Sequence, residues 1–122
     1  MDVATFVHDL LRYAAHHGFF QRIGLQVEGP IAQGHGYIDD DIVRLYFNET
    51  TGTIAFALIR QGERVWGVDR DNVRGWHLHP VEAPSRHLSI EAQTVESILD
   101  LLVIAVDALA ITEAPKEDTA SH

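Results

Sequence analysis

The feature that most constrains the fold of this chain is a series of short segments with strand-like alternation, separated by tight turns. Five such segments follow one another: "FFQRIGLQVEG", "IAQGHGYI", "DIVRLYFN", "TIAFALIR" and "ERVWGVD". Their connections include "NETTG", with Gly52 where a positive φ is needed, and a compact turn at Gln61 and Gly62. A parallel crossover needs about a dozen residues, so strands joined this closely pair antiparallel. The sequence therefore predicts an antiparallel meander sheet of about five strands.

A helix is predicted before the sheet, over residues 2–17. Its apolar residues recur at steps of three and four and form one face: Val3, Phe6, Val7, Leu10, Leu11 and Ala14. Asp2 is a suitable N-cap, and Gly18 follows the last periodic residue, where a left-handed C-cap is easiest. His16 and His17 fall in the last turn, where a cation interacts favourably with the helix dipole. We interpret these two histidines as capping residues.

A second, long helix is predicted after the sheet, with Ser89 as N-cap, Glu91 in the first turn and an end near Ile111. Its stretch "ILDLLVIAVDALAI" is apolar on nearly all sides, yet it is too short and too interrupted to span a membrane. One face of a sheet cannot cover this much apolar surface. The sequence therefore predicts a second packing partner, either the first helix or another copy in a homodimer through this helix.

The chain length of 122 residues predicts one domain. We assign residues 1–112 to a single α+β domain, with the N-terminal helix and the long C-terminal helix packed on the sheet. Residues 113–122 are predicted to form a disordered polar tail. The first residues, "MDVATFVHDLLRYAAHH", lack the basic start and continuous apolar stretch of a secretory signal, so a cytoplasmic location without a membrane partner is expected.

The balance of charge limits the classes of partner. The net charge of −9 disfavours broad electrostatic binding of nucleic acid. The basic residues are eight arginines and one lysine, and arginine is the better residue for forked contacts to phosphate or carboxylate. Five of the arginines precede or lie within one short segment: Arg60, Arg64, Arg70, Arg74 and Arg86. A local basic patch is one interpretation, and replacement of lysine by arginine through coding bias or salt adaptation is the other.

That segment contains the sequence "RGWHLHPVEAPSRH" at residues 74–87, which holds three of the eight histidines. From residue 70 to residue 87 the prolines and glycine interrupt any clean period. The sequence predicts a long structureless loop here, anchored to the core by Trp76, and loops of this kind are often functional.

His77 and His79 are the strongest candidates for chemistry. In an extended segment both side chains project on the same side, where two imidazoles can hold a metal or act as general acid and general base. His87 could supply a third nitrogen, and three carboxylates are within reach in sequence: Asp69, Asp71 and Glu82. The absence of cysteine leaves histidine and carboxylate as the ligands for any metal. The structural alternative is a stiff loop whose histidines bond to nearby backbone groups.

The order of a short meander, "DRDN", "WHLHPVEAPSRH" and "LSIEAQTVESIL" resembles the TumE-type toxin family of type II toxin–antitoxin systems. The similarity covers roughly residues 34–102. The positions that match the family pattern are Asp71, Asn72, His77, His79, Pro80, Glu82 and His87.

The resemblance implies a toxin-like endoribonuclease that needs no metal and pairs with an antitoxin protein. His77 and His79 would exchange protons with the attacking and leaving oxygens of RNA, and His87 would orient a catalytic imidazole. Substrate binding would fall to Arg70, Arg74, Arg86 and Asn72. Two other interpretations stay open: a non-catalytic dimeric interaction module with a structural histidine–proline loop, and a metal-binding protein with histidine and carboxylate ligands.

Overall fold

A computed structural model describes the backbone of residues 1–120 and the side chains of residues 1–111. The elements in chain order are α1 (Val3–His17), β1 (Arg22–Glu28), β2 (Ile31–Ile38), β3 (Asp41–Asn48), β4 (Thr53–Arg60), β5 (Glu63–Asp71), β6 (Gly75–His79), β7 (Leu88–Ser89) and α2 (Val95–Ala120). The α+β class with a helix at each end of the chain is confirmed. The sheet, however, has seven strands rather than about five.

The sheet is an antiparallel meander in which strand order repeats chain order from β1 to β7. Each strand pairs with the strand before it, as the short turns predict. The prediction of a structureless loop over residues 70–87 is wrong in part, because β6 and β7 lie within or beside it. Trp76 and Leu78 alternate with the two histidines, and they pair with Arg70 and Val68 of β5. The true loop is confined to residues 80–87.

Both helices pack on one face of the sheet, and no helix in the described part of the chain covers the opposite face. The core combines buried residues of α1, such as Phe6 and Leu10, and of α2, such as Leu99, with apolar residues of the central strands. Phe6 stacks on Phe47 of β3 with ring centroids 4.7 Å apart. We call the opposite side of β1–β6 the open face.

The predicted ends of α1 are confirmed. Asp2 Oδ1 accepts a hydrogen bond of 2.7 Å from the backbone N–H of Thr5, and Gly18 closes the helix in the left-handed conformation with φ 67°. The hydrogen bond from Thr5 also lowers the pKa of Asp2. His17 contacts the other helix, since its Nε2 lies 3.1 Å from Asp100 Oδ1. It therefore joins the end of α1 to α2.

The predicted start of the second helix is wrong, because α2 begins at Val95 and Ser89 belongs to β7. The cap is formed by Thr94 and Ser97. Thr94 Oγ1 accepts from the Ser97 N–H at 3.1 Å, while Ser97 Oγ accepts from the Thr94 N–H at 2.8 Å. This reciprocal pair resembles a capping box, with serine in the position usually held by an acidic or amide residue.

The far end of α2 extends past the predicted limit at Ile111, to Ala120. The disorder predicted for residues 113–122 stays a prediction, because the side chains of residues 112–120 and all of residues 121–122 lie outside the described part of the chain. Within that part, no helix is long and apolar enough to cross a bilayer.

The apolar surplus of α2 is partly covered within one chain. Ile98, Leu99 and Leu102 are fully buried, and α1 packs alongside α2. Ile104 and Ile111 remain largely exposed. The homodimer through this helix therefore stays a prediction.

Candidate functional site

The register of the last long strand pair brings the candidate residues together on the open face. Asp69 of β5 lies opposite His77 of β6, and Gly67 lies opposite His79. Side chains alternate along a strand, so the two histidines and Asp69 project away from the helices. The sequence-based expectation that His77 and His79 point to the same side agrees with this arrangement.

The two imidazoles converge on one carboxylate oxygen. His79 Nε2 lies 3.0 Å from Asp69 Oδ2, and His77 Nε2 lies 3.3 Å from the same oxygen. The histidine side chains are only 5% and 1% exposed for His77 and His79, whereas Asp69 keeps 22% exposure. Solvent therefore reaches the cluster mainly at the carboxylate.

The other nitrogen of each ring faces a backbone carbonyl. His79 Nδ1 is 3.1 Å from the Pro84 oxygen, and His77 Nδ1 is 3.3 Å from the Gly75 oxygen. A carbonyl oxygen only accepts hydrogen bonds, so both Nδ1 atoms carry the proton and donate. In a neutral ring Nε2 then presents a lone pair to Asp69, whereas in an imidazolium it donates to Asp69, as the 3.0 Å hydrogen bond between His79 Nε2 and Asp69 Oδ2 requires when no cation lies between them.

His87 completes a group of three histidines at the end of the loop. Its ring centroid lies 4.4 Å from that of His79 and 5.3 Å from that of His77. One nitrogen from each of the three rings falls within 4.8 Å of the others. The exposed position of His87 contrasts with the burial of the other two rings.

Arg74 contacts His87 from the β5–β6 turn. Its Nη1 lies 3.0 Å from His87 Nδ1, and because a guanidinium only donates, His87 Nδ1 is the acceptor. Partial desolvation, followed by the positive charge of Arg74, lowers the pKa of His87. The ring is therefore neutral at neutral pH, with its remaining proton on Nε2.

The loop over residues 80–87 holds the histidines in place through its own turns. The Ala83 N–H donates to the Pro80 carbonyl at 3.2 Å, and the Arg86 N–H donates to the Ala83 carbonyl at 2.9 Å.

Opposite His79, the position of Gly67 allows the imidazole ring of His79 to lie close to β5. A Cβ there would stand 3.4 Å from His79 Cδ2 and 3.2 Å from the Phe56 carbonyl oxygen.

Asp71 caps the β5–β6 turn instead of joining the histidines. Its Oδ1 accepts from the backbone N–H groups of Arg74 at 2.7 Å and Val73 at 2.9 Å. The hydrogen bond from Arg74 is the main reason that the pKa of Asp71 is lowered. Of the three carboxylates weighed from sequence, Asp69 is the one whose carboxylate contacts both His77 and His79.

The residues predicted to bind substrate do not all lie beside the histidines. Arg70 Nη1 donates to the carbonyls of Thr51 and Gly52, at 3.3 and 3.0 Å, and to Asn72 Oδ1 at 3.1 Å. Arg70 and Asn72 thus tie two neighbouring turns together, and Arg74 is engaged by His87. Glu82 and Arg86 lie exposed on the loop.

The contacts of His77 and His79 with backbone carbonyls agree with the structural alternative raised from the sequence, whereas the identity of the two carbonyls and the approach of Arg64 were missed. The Arg64 side chain crosses β5 beside Gly67, with Cδ 3.5 Å from the position of a Cβ there. Backbone carbonyls leave no signal in a sequence, so the protonation pattern of the histidines could not be read from it.

No protein-family model matches this chain, and no curated protein or solved structure matches it. The resemblance to TumE-type toxins, with the roles it implies, accordingly stays a prediction.

Proposed function

We propose that this protein binds a divalent transition metal ion, Zn²⁺ fitting best, through His77, His79 and Asp69, and that the centre is hydrolytic. The observation that carries the proposal is the direction of the lone pairs. Both Nδ1 atoms face carbonyls, so in the neutral rings two imidazole lone pairs converge on one carboxylate oxygen, and a metal ion can take the place of the proton that an imidazolium would donate to Asp69.

Such a convergence is unfavourable when nothing fills it. A polar atom that is buried without a partner destabilises the fold by about 1–3 kcal/mol, and here two acceptor nitrogens face a third acceptor. A cation bound by the three atoms removes that penalty. Neutral imidazole and carboxylate are ligands that Zn²⁺ and its neighbours in the first transition series accept.

The distances also fit. Four ligands placed tetrahedrally about 2.0 Å from Zn²⁺ stand about 3.3 Å from one another. The observed distances from Asp69 Oδ2 are 3.3 Å to His77 Nε2 and 3.0 Å to His79 Nε2. Metal-binding histidines typically donate their other N–H to a carbonyl or carboxylate, as the carbonyls of Gly75 and Pro84 allow.

The ligand in the fourth coordination position decides whether the proposed metal centre is catalytic or structural. His87 is near enough to be considered, but its Nδ1 is held by Arg74 and its Nε2 carries a proton. It becomes a ligand only when Arg74 withdraws. While Arg74 stays, three protein ligands leave one position for water, which is the pattern of catalytic rather than structural zinc. A metal lowers the pKa of such a water to about 7, which supplies hydroxide for hydrolysis.

A purely structural alternative makes a different claim about protons. If His79 alone were imidazolium, it would donate to Asp69 at 3.0 Å and leave the lone pair of His77 Nε2 without a donor; if both rings were imidazolium, two positive charges would lie with ring centroids 5.2 Å apart. Two buried like charges sharing one counter-ion are costly. The metal proposal needs no second proton and is therefore preferred.

The deciding experiment is a zinc titration of protein first stripped of metal. Isothermal calorimetry should give one site per chain for Zn²⁺ and no binding of Mg²⁺, which prefers oxygen ligands. The variant His77→Ala, His79→Ala should lose binding, while His35→Ala, which removes another histidine of the open face, should not. Equal zinc binding by the double variant, or none by the native protein, would reject the proposal.

The metal-independent ribonuclease and its antitoxin partner stay predictions. The side chains of His77 and His79 are buried with Nε2 turned to Asp69, so direct proton exchange with RNA would require the loop to open. RNA cleavage that persists in a chelator and disappears in the double histidine variant would favour that interpretation over the metal centre. Cleavage that depends on Zn²⁺ would favour the metal centre.

A further inference from the structure

We propose that the open face of the sheet, beside the metal centre, binds a small planar organic anion. The open face over β1–β3 forms a hollow of about 630 Å³. This is within the size range of small-molecule sites. Its polar lining comes from Gln26, Gln33, His35, Arg44 and Tyr46.

The charge beside the hollow is opposite to that of the molecule. The chain carries a net charge of −9, yet among the described residues the lining of the hollow contains Arg44 and no carboxylate. The acidic residues on this side of the sheet, Glu28, Asp69 and Asp71, lie outside the lining. A basic surface on an acidic protein attracts anions and repels cationic ligands.

The lining residues also suit a flat group. Tyr46 is half-buried in the hollow, and its ring offers a surface for stacking. Next to it, Arg22 already lies over the Tyr37 ring at 4.2 Å. Gln26 and Gln33 lie opposite each other across β1 and β2, and their side-chain amides can donate to or accept from the edge of a ring. Arg44 supplies the forked cation for a phosphate or carboxylate.

Two rows of residues on the open face run across the strands from the hollow to the proposed metal centre. Across the strands, Tyr46 is followed by Ala55, Asp69 and His77 in one row. In the neighbouring row Arg44 is followed by Ala57, Gly67 and His79. Small residues therefore separate the hollow from the centre, and two strand spacings, about 10 Å, separate Tyr46 from Asp69. The inference that the anion is presented to a metal rests on the proposed function. The inference that the anion binds Arg44 does not rest on it.

The test uses two probes with the same ring and different anionic groups, phenyl phosphate and benzoate, and phenol as the neutral control. Binding to the full chain is followed by NMR titration, with and without Zn²⁺. At least one anion should bind and phenol should not. Arg44→Gln should weaken that binding about tenfold, because it removes the charge-assisted contact. Arg12→Gln, an exposed arginine of α1 on the opposite side of the sheet, should leave the affinity unchanged.

The outcomes separate the two proposals. Failure of both anions to bind, or equal binding by Arg44→Gln, overturns the anion site whatever zinc does. Binding that survives in the metal-free protein and is lost in Arg44→Gln supports the anion site even if zinc titration fails. Tighter binding of the anion in the zinc-loaded protein supports its presentation to the centre, and identical affinities with and without Zn²⁺ overturn that part alone.

Discussion

Asp41 and Asp69 are two carboxylates with nitrogen partners at similar distances. Only at Asp41 do the partner nitrogens always carry a proton. Asp41 receives the forked guanidinium of Arg60, with Nε 3.0 Å from Oδ1 and Nη2 2.8 Å from Oδ2. Every contact there has a proton on the nitrogen, because arginine is always a donor. At Asp69 the facing nitrogens belong to His77 and His79, whose Nδ1 atoms face carbonyls, so each Nε2 carries a proton only when its ring is an imidazolium.

The comparison shows that a short N···O distance does not by itself identify an ion pair. The Asp41–Arg60 pair is complete and stabilises the end of the sheet. Under the proposed function, the Asp69 cluster is complete only when a metal ion enters it. The Nδ1 atoms of His77 and His79 face the carbonyls of Gly75 and Pro84, so in neutral rings the Nε2 atoms carry no proton. These second contacts of the histidines therefore decide whether the short N···O distance at Asp69 is an ion pair.

The largest expected difference between the two carboxylates is in metal affinity. Asp69→Asn replaces an anionic ligand by a neutral amide, so we expect zinc affinity to fall at least about a hundredfold. Asp41→Asn should leave it unchanged. Calorimetric titration of both variants measures the difference, and equal effects would remove the distinction between the two sites.

The same two substitutions should change the stability of the metal-free protein in opposite directions. Asp41→Asn leaves Arg60 facing a neutral amide in a partly buried place, and the free energy of unfolding should fall by about 2 kcal/mol. Asp69→Asn gives the histidine lone pairs an N–H donor, and it should raise that free energy by about 1 kcal/mol. Urea unfolding in a chelator checks both signs. A loss of stability in Asp69→Asn would mean that the histidines are protonated and that the cluster is an ion pair.

A smaller effect is expected from releasing His87. Arg74→Gln removes the donor that occupies His87 Nδ1 and a positive charge beside the centre. Zinc affinity should therefore rise severalfold, by about 1 kcal/mol. Arg86→Gln is the matched control, since it removes an exposed arginine beside His87 in the sequence without removing the contact to His87 Nδ1. Unchanged or weaker binding in Arg74→Gln would show that His87 takes no part as a ligand.

The smallest effect concerns pH in the metal-free protein. The pKa of His87 is lowered in the folded chain, first by desolvation and then by Arg74. The unfolded chain then binds more protons, so stability is full above the usual histidine pKa and declines as the pH falls through it. His87→Asn should make the decline between pH 7.5 and pH 5.5 shallower, as measured by urea unfolding at the two values. His8→Asn, an exposed histidine of α1, should leave the slope as it is.

The fold was predictable where local pattern and turn chemistry agreed. Asp2 and Gly18 bound α1 as expected, and the short turns dictated an antiparallel order. Strand β6 was missed although Trp76 and Leu78 alternate with histidines, because Gly75 and Pro80 on either side suggested a loop. Ser89 was taken for a cap because it precedes acidic residues, whereas the pair Thr94 and Ser97 carries no acidic residue at the box position.

The candidate site was predictable as a set of residue types and not as an arrangement. The spacing of His77 and His79 implied a shared side once the segment was extended. The choice of Asp69 over Asp71 depends on the register of β5 with β6, which pairs Asp69 with His77. Donation to the Pro84 carbonyl depends on the path of the loop, and a single sequence does not contain that path.

Because strand order repeats chain order, each strand emerges from the ribosome beside a neighbour that has already been made. Residues 69–87 carry all the proposed ligands and follow four complete strands. Metal binding would then be a late step in the assembly of the sheet and not its first step. Small zinc domains differ, because in them binding of the ion drives folding. Helix α2 follows the seven strands in the chain and covers the opposite face. Cotranslational loading of the centre therefore need not wait for the helix that completes the hydrophobic core.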